Sequence, residues 1–252
     1  MTIRLVTFDA LHTLITPRLP IYVQYSQTFA PYLGVLEPEL LRQSFKVALK
    51  QVQKDKPAYQ GDSGAEGWWS EVIKRTAIGA GADPQAVDSS LRHIVPSLME
   101  RFSSREGYKL FHDSLPVLKR LYDMNIHTAL VSNTDTRMRP VLKDLGITSY
   151  LDPILLSEEV EIEKPDAKIF RLAFSAQPVA VGLQESVHVG DELDSDYRGA
   201  RAAGMHALLL RRVGPEGAGE RKEEGENIKG VQVVNDLWGV LKWVEQQNTG
   251  NR

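Results

Sequence analysis

Five polar residues of this chain stand where short apolar runs give way to turns. Asp9 follows residues 3–8, Ser132 follows Thr128-Ala129-Leu130-Val131, Lys164 lies in Glu163-Lys164-Pro165, and Asp191 and Asp196 follow Val187-His188-Val189. In order they supply a carboxylate, a hydroxyl, an ammonium and an acidic pair. Such groups could meet around one hard cation, which takes oxygen ligands. Singly, each has a plain explanation. An Asp after a strand often caps a helix, Ser-Asn and Gly-Asp often form turns, and Lys-Pro often sits in a solvated loop. Their joint occurrence at the ends of successive strands is the specific signal, because ligands of open α/β sheets bind at the strands' carboxyl edge.

The apolar runs must therefore be strands of one sheet. Residues 3–8 read as a buried parallel strand. After Asp113, helices and strands alternate. Helices are predicted over 114–124, 135–145, 167–175, 196–203 and 237–245, and strands over 128–131, 154–156, 187–189, 206–210 and 231–234. Gly146 and Gly204 are placed to stop two of the helices. This alternation predicts an α/β fold, a Rossmann-like three-layer α/β/α core with a parallel sheet. Residues 214–230 are rich in Gly and charge and read as a surface loop.

Residues 16–108 interrupt that pattern and contain no convincing strand. Ile21, Tyr25 and Phe29 share a helical face. A second helix over 39–54 starts at Pro38 and carries the stripe Leu41, Phe45, Ala48, Leu49 and Val52. A breaker-rich loop over 56–67, including Tyr59, leads to a helix opening at Trp68-Trp69, and a fourth helix runs from Pro84 to Arg101. The expected organisation is a core of residues 1–15 and 109–252 with an inserted all-α cap, 16–108, lying over the sheet's carboxyl edge.

Composition excludes several classes. The chain has 252 residues, no cysteine and a formal net charge of −3. Disulfides, thiolate metal sites and a Cys nucleophile are ruled out. No basic block argues for nucleic acid, no apolar run is long enough to span a membrane, and no leader segment is evident. The setting these features suggest is the cytosol or nucleus.

Four segments resemble the motifs of the haloacid-dehalogenase superfamily. They are Phe8-Asp9-Ala10-Leu11-His12-Thr13-Leu14, then Leu130-Val131-Ser132-Asn133, then Glu163-Lys164-Pro165-Asp166, then Val189-Gly190-Asp191-Glu192-Leu193-Asp194-Ser195-Asp196. The fourth is the most specific. The helical insertion is similar to the first cap type of that superfamily. The Lys50-Gln51 helix, the Tyr59 loop and Trp68-Trp69 are most similar to its group called haloacid-dehalogenase-like hydrolase domain-containing protein 3. The resemblance implies a Mg²⁺-dependent phosphohydrolase acting on a small phosphorylated metabolite. Asp9 would attack phosphorus as nucleophile. Asp9, the backbone carbonyl of Leu11, Asp191 and Asp196 would hold Mg²⁺, with Asp196 a direct or indirect partner. Thr13, Ser132, the amide of Asn133 and Lys164 would hold the phosphate, and Lys164 would also neutralise its charge.

One position departs from the pattern. Two residues after the nucleophile, the phosphatases of the superfamily carry a second Asp as general acid and base; here it is Leu11. Such a group is worth about 10²–10⁴ in rate. His12 is the nearest titratable side chain and a candidate substitute, but it is one residue out of register and reads first as a turn histidine. Three readings follow: a hydrolase of weak or no phosphatase activity, a non-catalytic phosphate- and Mg²⁺-binding or scaffold protein, and a 2-haloacid dehalogenase. Dehalogenases lack the second Asp and need no metal, and Arg42 in the cap could meet a substrate carboxylate, though it also reads as a solvated helix residue. Trp68 and Trp69 read as core, and His188 as a packed strand residue.

Overall fold

A computed structural model describes residues 2–57, 64–175, 180–214 and 225–249. Its strands are β1 (Leu5–Phe8), β2 (Ile15–Pro17), β3 (Tyr108–Leu110), β4 (His127–Ser132), β5 (Ile154–Leu156), β6 (Ser186–Gly190), β7 (His206–Leu210) and β8 (Val233–Val234). Its helices are α1 (Ile21–Leu33), α2 (Pro38–Asp55), α3 (Gly64–Gly79), α4 (Pro84–Arg101), α5 (Ser114–Asp123), α6 (Met138–Asp144), α7 (Ser157–Val160), α8 (Ala167–Ser175), α9 (Gly199–Ala202) and α10 (Leu237–Thr249).

Six strands form one sheet in the order β5-β4-β1-β6-β7-β8, parallel throughout. All four residues of β1 are buried, which suits the apolar run of a central strand covered on both faces. From β1 the chain builds outward through β4 to β5, then crosses back to β6, β7 and β8. The reversal of strand order falls at β1, so the crevice beyond its carboxyl end is the topological switch point where open α/β sheets bind ligands. Asp9 is the first residue past that end.

The chain divides into two units. One comprises Met1–Thr16, Leu110–Thr134 and Gly146–Arg252; the other comprises Pro17–Lys109 and Asp135–Leu145. Strands β2 and β3 pair where the chain passes between them. These strands are short and fall at the edges of the stretch read as strand-free. In the helical unit, Tyr25, Phe29, Leu41, Ile73, Val87, Ile94 and Leu98 form a buried cluster. Its helices start as their residues dictate: Pro38 and Pro84 occupy first turns, and the Asp83 carboxylate caps α4 by accepting from the Ala86 N–H at 2.8 Å.

Residues 135–145, read as core from the sequence, group with the inserted helices instead. The Trp69 indole Nε1 donates to Asp135 Oδ2 at 2.6 Å, the Arg137 guanidinium lies 4.6 Å from the centre of the Trp69 ring, and Arg105 pairs with Asp144 at 3.0 Å. Because Asp135 also accepts from the Arg137 main chain at 3.0 Å, α6 begins at Met138 rather than at 135. The short helix α7 was not expected. The helix read over 196–203 opens earlier, as a π-helical turn over Leu193–Arg198 that runs into α9. Gly146 and Gly204 take φ of +74° and +93° just past α6 and α9, the left-handed geometry of a helix stop. Residues 58–63 of the loop, Tyr59 among them, and the charged stretch 215–224 lie outside the described residues. No helix among those described is long and apolar enough to cross a membrane.

Candidate active site

The carboxyl ends of β1, β4 and β6 deliver Asp9, Ser132 and Asp191, and the loop before α8 delivers Lys164. One carboxylate oxygen from each of Asp9, Asp191 and Asp196 lies within 4.8 Å of the others, and all three residues are buried. Lys164 Nζ donates to Asp9 Oδ1 at 2.7 Å and to Asp196 Oδ1 at 2.6 Å. The Ser132 hydroxyl is near enough to Asp9 to favour its charged form.

The π-helical turn is what brings Asp196 here. The Glu192 carbonyl accepts both from Asp196 N at 3.1 Å and from Tyr197 N at 3.2 Å, and Asp196 Oδ2 returns to accept from Glu192 N at 2.8 Å. Such widened turns gather at functional sites. The carboxylate then lies against Gly190, where a Cβ would stand 2.1 Å from Asp196 Cγ. Only glycine fits. Gly199 does the same for the lysine loop: its Cβ would meet Pro165 at 3.0 Å. Asn133 fixes Lys164 from the other side, its carboxamide donating to the Lys164 carbonyl at 2.9 Å and accepting from the Lys164 N–H at 2.8 Å. The Asn133 side chain is thus engaged with the lysine's main chain, which leaves its backbone N–H for any anion contact.

His188 does more than pack. It is paired in register with Thr7 across β1 and β6. Its Nδ1 lies 2.8 Å from Thr7 Oγ1 and its Nε2 lies 3.1 Å from Asp196 Oδ1. Burial pushes its pKa down against the pull of Asp196, so the ring is neutral near pH 7. An ionised Asp196 can only accept, so Nε2 carries the proton and Nδ1 accepts from Thr7. Asp196 Oδ1 therefore receives two donors and Oδ2 one.

Electrostatics follow from a carboxylate excess. Burial raises the pKa of Asp9, opposed by Lys164 and assisted by the charge of Asp196. Burial would raise Asp196 as well, but Lys164 and His188 outweigh it and hold its carboxyl well below the usual range. Lys164 is raised: burial favours its neutral form, and the charges of Asp196 and Asp9 overcome that. Three buried acidic residues thus share the site, and Lys164 joins two of them, Asp9 and Asp196.

The other predicted residues are less central. Leu11 is half-buried and bridges to Ile15, and His12 has φ +60° with its N–H donating to the Ile15 carbonyl at 2.7 Å. Thr13 is fully buried; its hydroxyl has no hydrogen-bond partner among the described residues. Arg42 lies on the outside of α2, forked onto Glu39 at 2.8 and 2.6 Å. Trp68 is buried, its Nε1 donating to the Lys56 carbonyl at 2.9 Å.

The fold and site are those of an α/β protein with a buried acidic cluster at the switch point of a parallel sheet and a lysine joining two of its members. Residues 3–204 match the model of the haloacid dehalogenase-like hydrolases, and the chain belongs to that family. It is 33% identical over 221 residues to haloacid dehalogenase-like hydrolase domain-containing protein 3 of Bos taurus, covering 86% of this chain and 84% of that protein. A HAD phosphatase from Thermococcus onnurineus superposes with a TM-score of 0.64 at 22% identity over 97% of this chain and 98% of that one. The L-2-haloacid dehalogenase of Xanthobacter autotrophicus superposes with a TM-score of 0.65 at 16% identity over 97% and 99%. A phosphatase and a dehalogenase fit equally well, so these two likenesses speak to the fold alone.

Proposed function

We propose that this protein is a Mg²⁺-dependent phosphohydrolase scaffold whose turnover is weak or absent because Leu11 occupies the general acid position. The observation that carries the reading is the buried cluster of Asp9, Asp191 and Asp196, whose carboxylate oxygens lie within 4.8 Å of one another and are hard donors of the kind a divalent cation takes. Asp9 and Asp191 would hold it with the Leu11 carbonyl. Asp196, already accepting three protein donors, would act chiefly by orienting Lys164. The ion would supply charge neutralisation between the anionic substrate and the anionic nucleophile.

The rest is work for the chain's own side chains. Asp9 would form a bond to phosphorus while the ester oxygen departs with its electron pair. Lys164 holds Asp9 in place and would offset charge on the phosphoryl oxygens, and Ser132 and the Asn133 N–H would orient them. Leu11 has no proton to give the departing oxygen and cannot activate water against the aspartyl-phosphate. Only esters with good leaving groups would react at a measurable rate. The substrate would be a small phosphorylated metabolite.

Leu11→Asp is expected to raise Mg²⁺-dependent hydrolysis of p-nitrophenyl phosphate by at least about tenfold, the low side of what a general acid contributes. No gain in a variant that still binds Mg²⁺ would reject Leu11 as the reason for slow turnover. Leu11 also favours a second reading, a binding protein without turnover. Mg²⁺-dependent binding of beryllofluoride with no hydrolysis of any ester by the wild type would select it.

A further inference from the structure

Strand β7 ends at Leu210, and the next two residues are arginines with almost no exposure, Arg211 at 1% and Arg212 at 7%. A buried guanidinium is unfavourable unless paired and hydrogen-bonded, so two in succession need a reason. Each meets one carboxylate. Arg212 forks onto Asp113 with both distances 2.9 Å, and Arg211 Nη2 donates to Glu226 Oε1 at 2.6 Å. Pairing alone would satisfy their charge, yet each uses a further donor on a main-chain carbonyl. Arg211 Nη1 donates to the carbonyl of Asp191. Arg212 Nη2 donates to the carbonyl of Thr13 at 2.8 Å. β7 neighbours β6 and β8 but not β1, so Arg212 reaches past β6 to the turn that follows Asp9. That reach is held firmly. Asp113 also accepts from the Leu237 N–H at 2.8 Å, and the Arg212 guanidinium lies 3.7 Å from the centre of the Phe111 ring. Arg212 Nε is left buried with no hydrogen-bond partner among the described residues, an unfavourable feature that the fixed position of the fork entails.

We propose that Arg211 and Arg212 are positioning residues that set the spacing of the Asp191 and Asp9 loops from the end of β7, each by holding one main-chain carbonyl. The need is electrostatic. Asp9 and Asp191 present like charges within 4.8 Å, and their repulsion acts to spread the two loops. Side-chain rotamers can yield to it; a main chain tied to a buried, carboxylate-paired fork cannot easily follow. Lysine would not substitute, because a single ammonium lacks the planar fork that serves a carboxylate and a carbonyl together. The anchoring stands on these contacts. Its consequence for cation affinity rests on the reading given under Proposed function.

Amide hydrogen exchange on the full chain separates the two. In the Asp9 turn, Leu14 and Ile15 N–H donate to the Ala10 carbonyl at 2.9 and 3.0 Å; in the other loop, Asp196 and Tyr197 N–H donate to Glu192. Arg212→Lys is expected to speed exchange at 10–15 by at least about tenfold and leave 192–197 unchanged, and Arg211→Lys to do the reverse. Mg²⁺ affinity should fall about 10- to 100-fold in either. If a lysine variant folds poorly, Asp113→Asn and Glu226→Gln release each arginine from its carboxylate and should speed the same loop by about threefold. Unchanged exchange in both loops, or uniform acceleration along the chain, would overturn the proposal. A wild type that binds no Mg²⁺ would sink the functional reading, and the exchange pattern would still decide the anchoring.

Discussion

Lys164, buried, and Arg137, half-buried, each lie against aspartate, one in each unit of the chain, and their surroundings differ in charge. Arg137 forks onto Asp135 at 2.8 and 2.7 Å, and the same carboxylate accepts from Trp69 Nε1. One cation meets one anion. Burial would raise Asp135, but Arg137 outweighs it and its carboxyl lies below the ordinary range. The neighbouring Tyr108 is half-buried, and desolvation pushes its hydroxyl up to about 12. Nothing in that cluster is left over. Around Lys164 two carboxylates share one ammonium with a third within 4.8 Å of them, and Asp9 is raised where Asp135 is lowered. Both clusters are buried acids beside a base, so burial and pairing do not distinguish them. The balance does: a closed pair organises packing, whereas an excess of one sign is poised to take a partner from solution.

The largest expected effect tests this. Lys164→Met and Arg137→Met each remove the cation from a buried pair, which typically costs about 3–5 kcal/mol. For a chain of this size that lowers the melting temperature by about 2–4 °C per kcal/mol. Millimolar Mg²⁺ should recover much of the loss in Lys164→Met, because a divalent ion can take over the compensating role, and none of it in Arg137→Met. Equal responses to Mg²⁺ would erase the contrast between the clusters.

How these clusters were visible beforehand also differs. Asp9, Ser132 and Asp191 could be found because each sits where a strand's apolar run ends, and Lys164 because it stands beside Pro165 ahead of α8, signals carried by adjacent residues. The role of His188 could not, since it depends on the register that sets His188 beside Thr7 on another strand. The π-helical turn was missed because it is closed by Asp196 folding back against Gly190, a packing constraint with no local periodicity. The Asp135–Arg137 fork was missed for a similar reason. Asp-Thr-Arg after Ser132-Asn133 reads as a helix start, and its anchor, Trp69, lies 66 positions away in the sequence. The arginines after β7 carried no pattern at all until the two carbonyls they hold were in place.

A smaller effect, of opposite sign in the two clusters, comes from pH. Asp135 has a lowered pKa in the folded state, so the unfolded chain binds more protons as pH falls below the ordinary Asp value of 3.8. Its contribution is present above that value and is lost as pH falls through the folded pKa. Asp9 is raised, so between 3.8 and its folded value the folded chain binds more protons, and stability falls as pH rises. Subtracting the urea-unfolding free energy of Asp135→Asn from that of the wild type should give a difference that grows with pH in the acid range. The same subtraction for Asp9→Asn should give one that shrinks with pH, and bound Mg²⁺ should flatten it. Slopes of the same sign would contradict the charge excess around Lys164.

The smallest expected effect is at Arg42. A dehalogenase needs a cation facing the carboxylate of its substrate, and this side chain instead sits 42% exposed on α2, paired with Glu39. Pairs of that kind hold long side chains in one geometry against solvent and salt, and most contribute little. Arg42→Ala should leave the melting temperature unchanged, and neither protein should release halide from 2-chloropropionate. The comparison between the clusters has a stake in this null result. Halide release without added metal, abolished in Arg42→Ala, would mean that Asp9 attacks carbon with no divalent ion beside it. The carboxylate excess around Lys164 would then be a feature the chain tolerates, and its charge would no longer be a reason to expect a cation there.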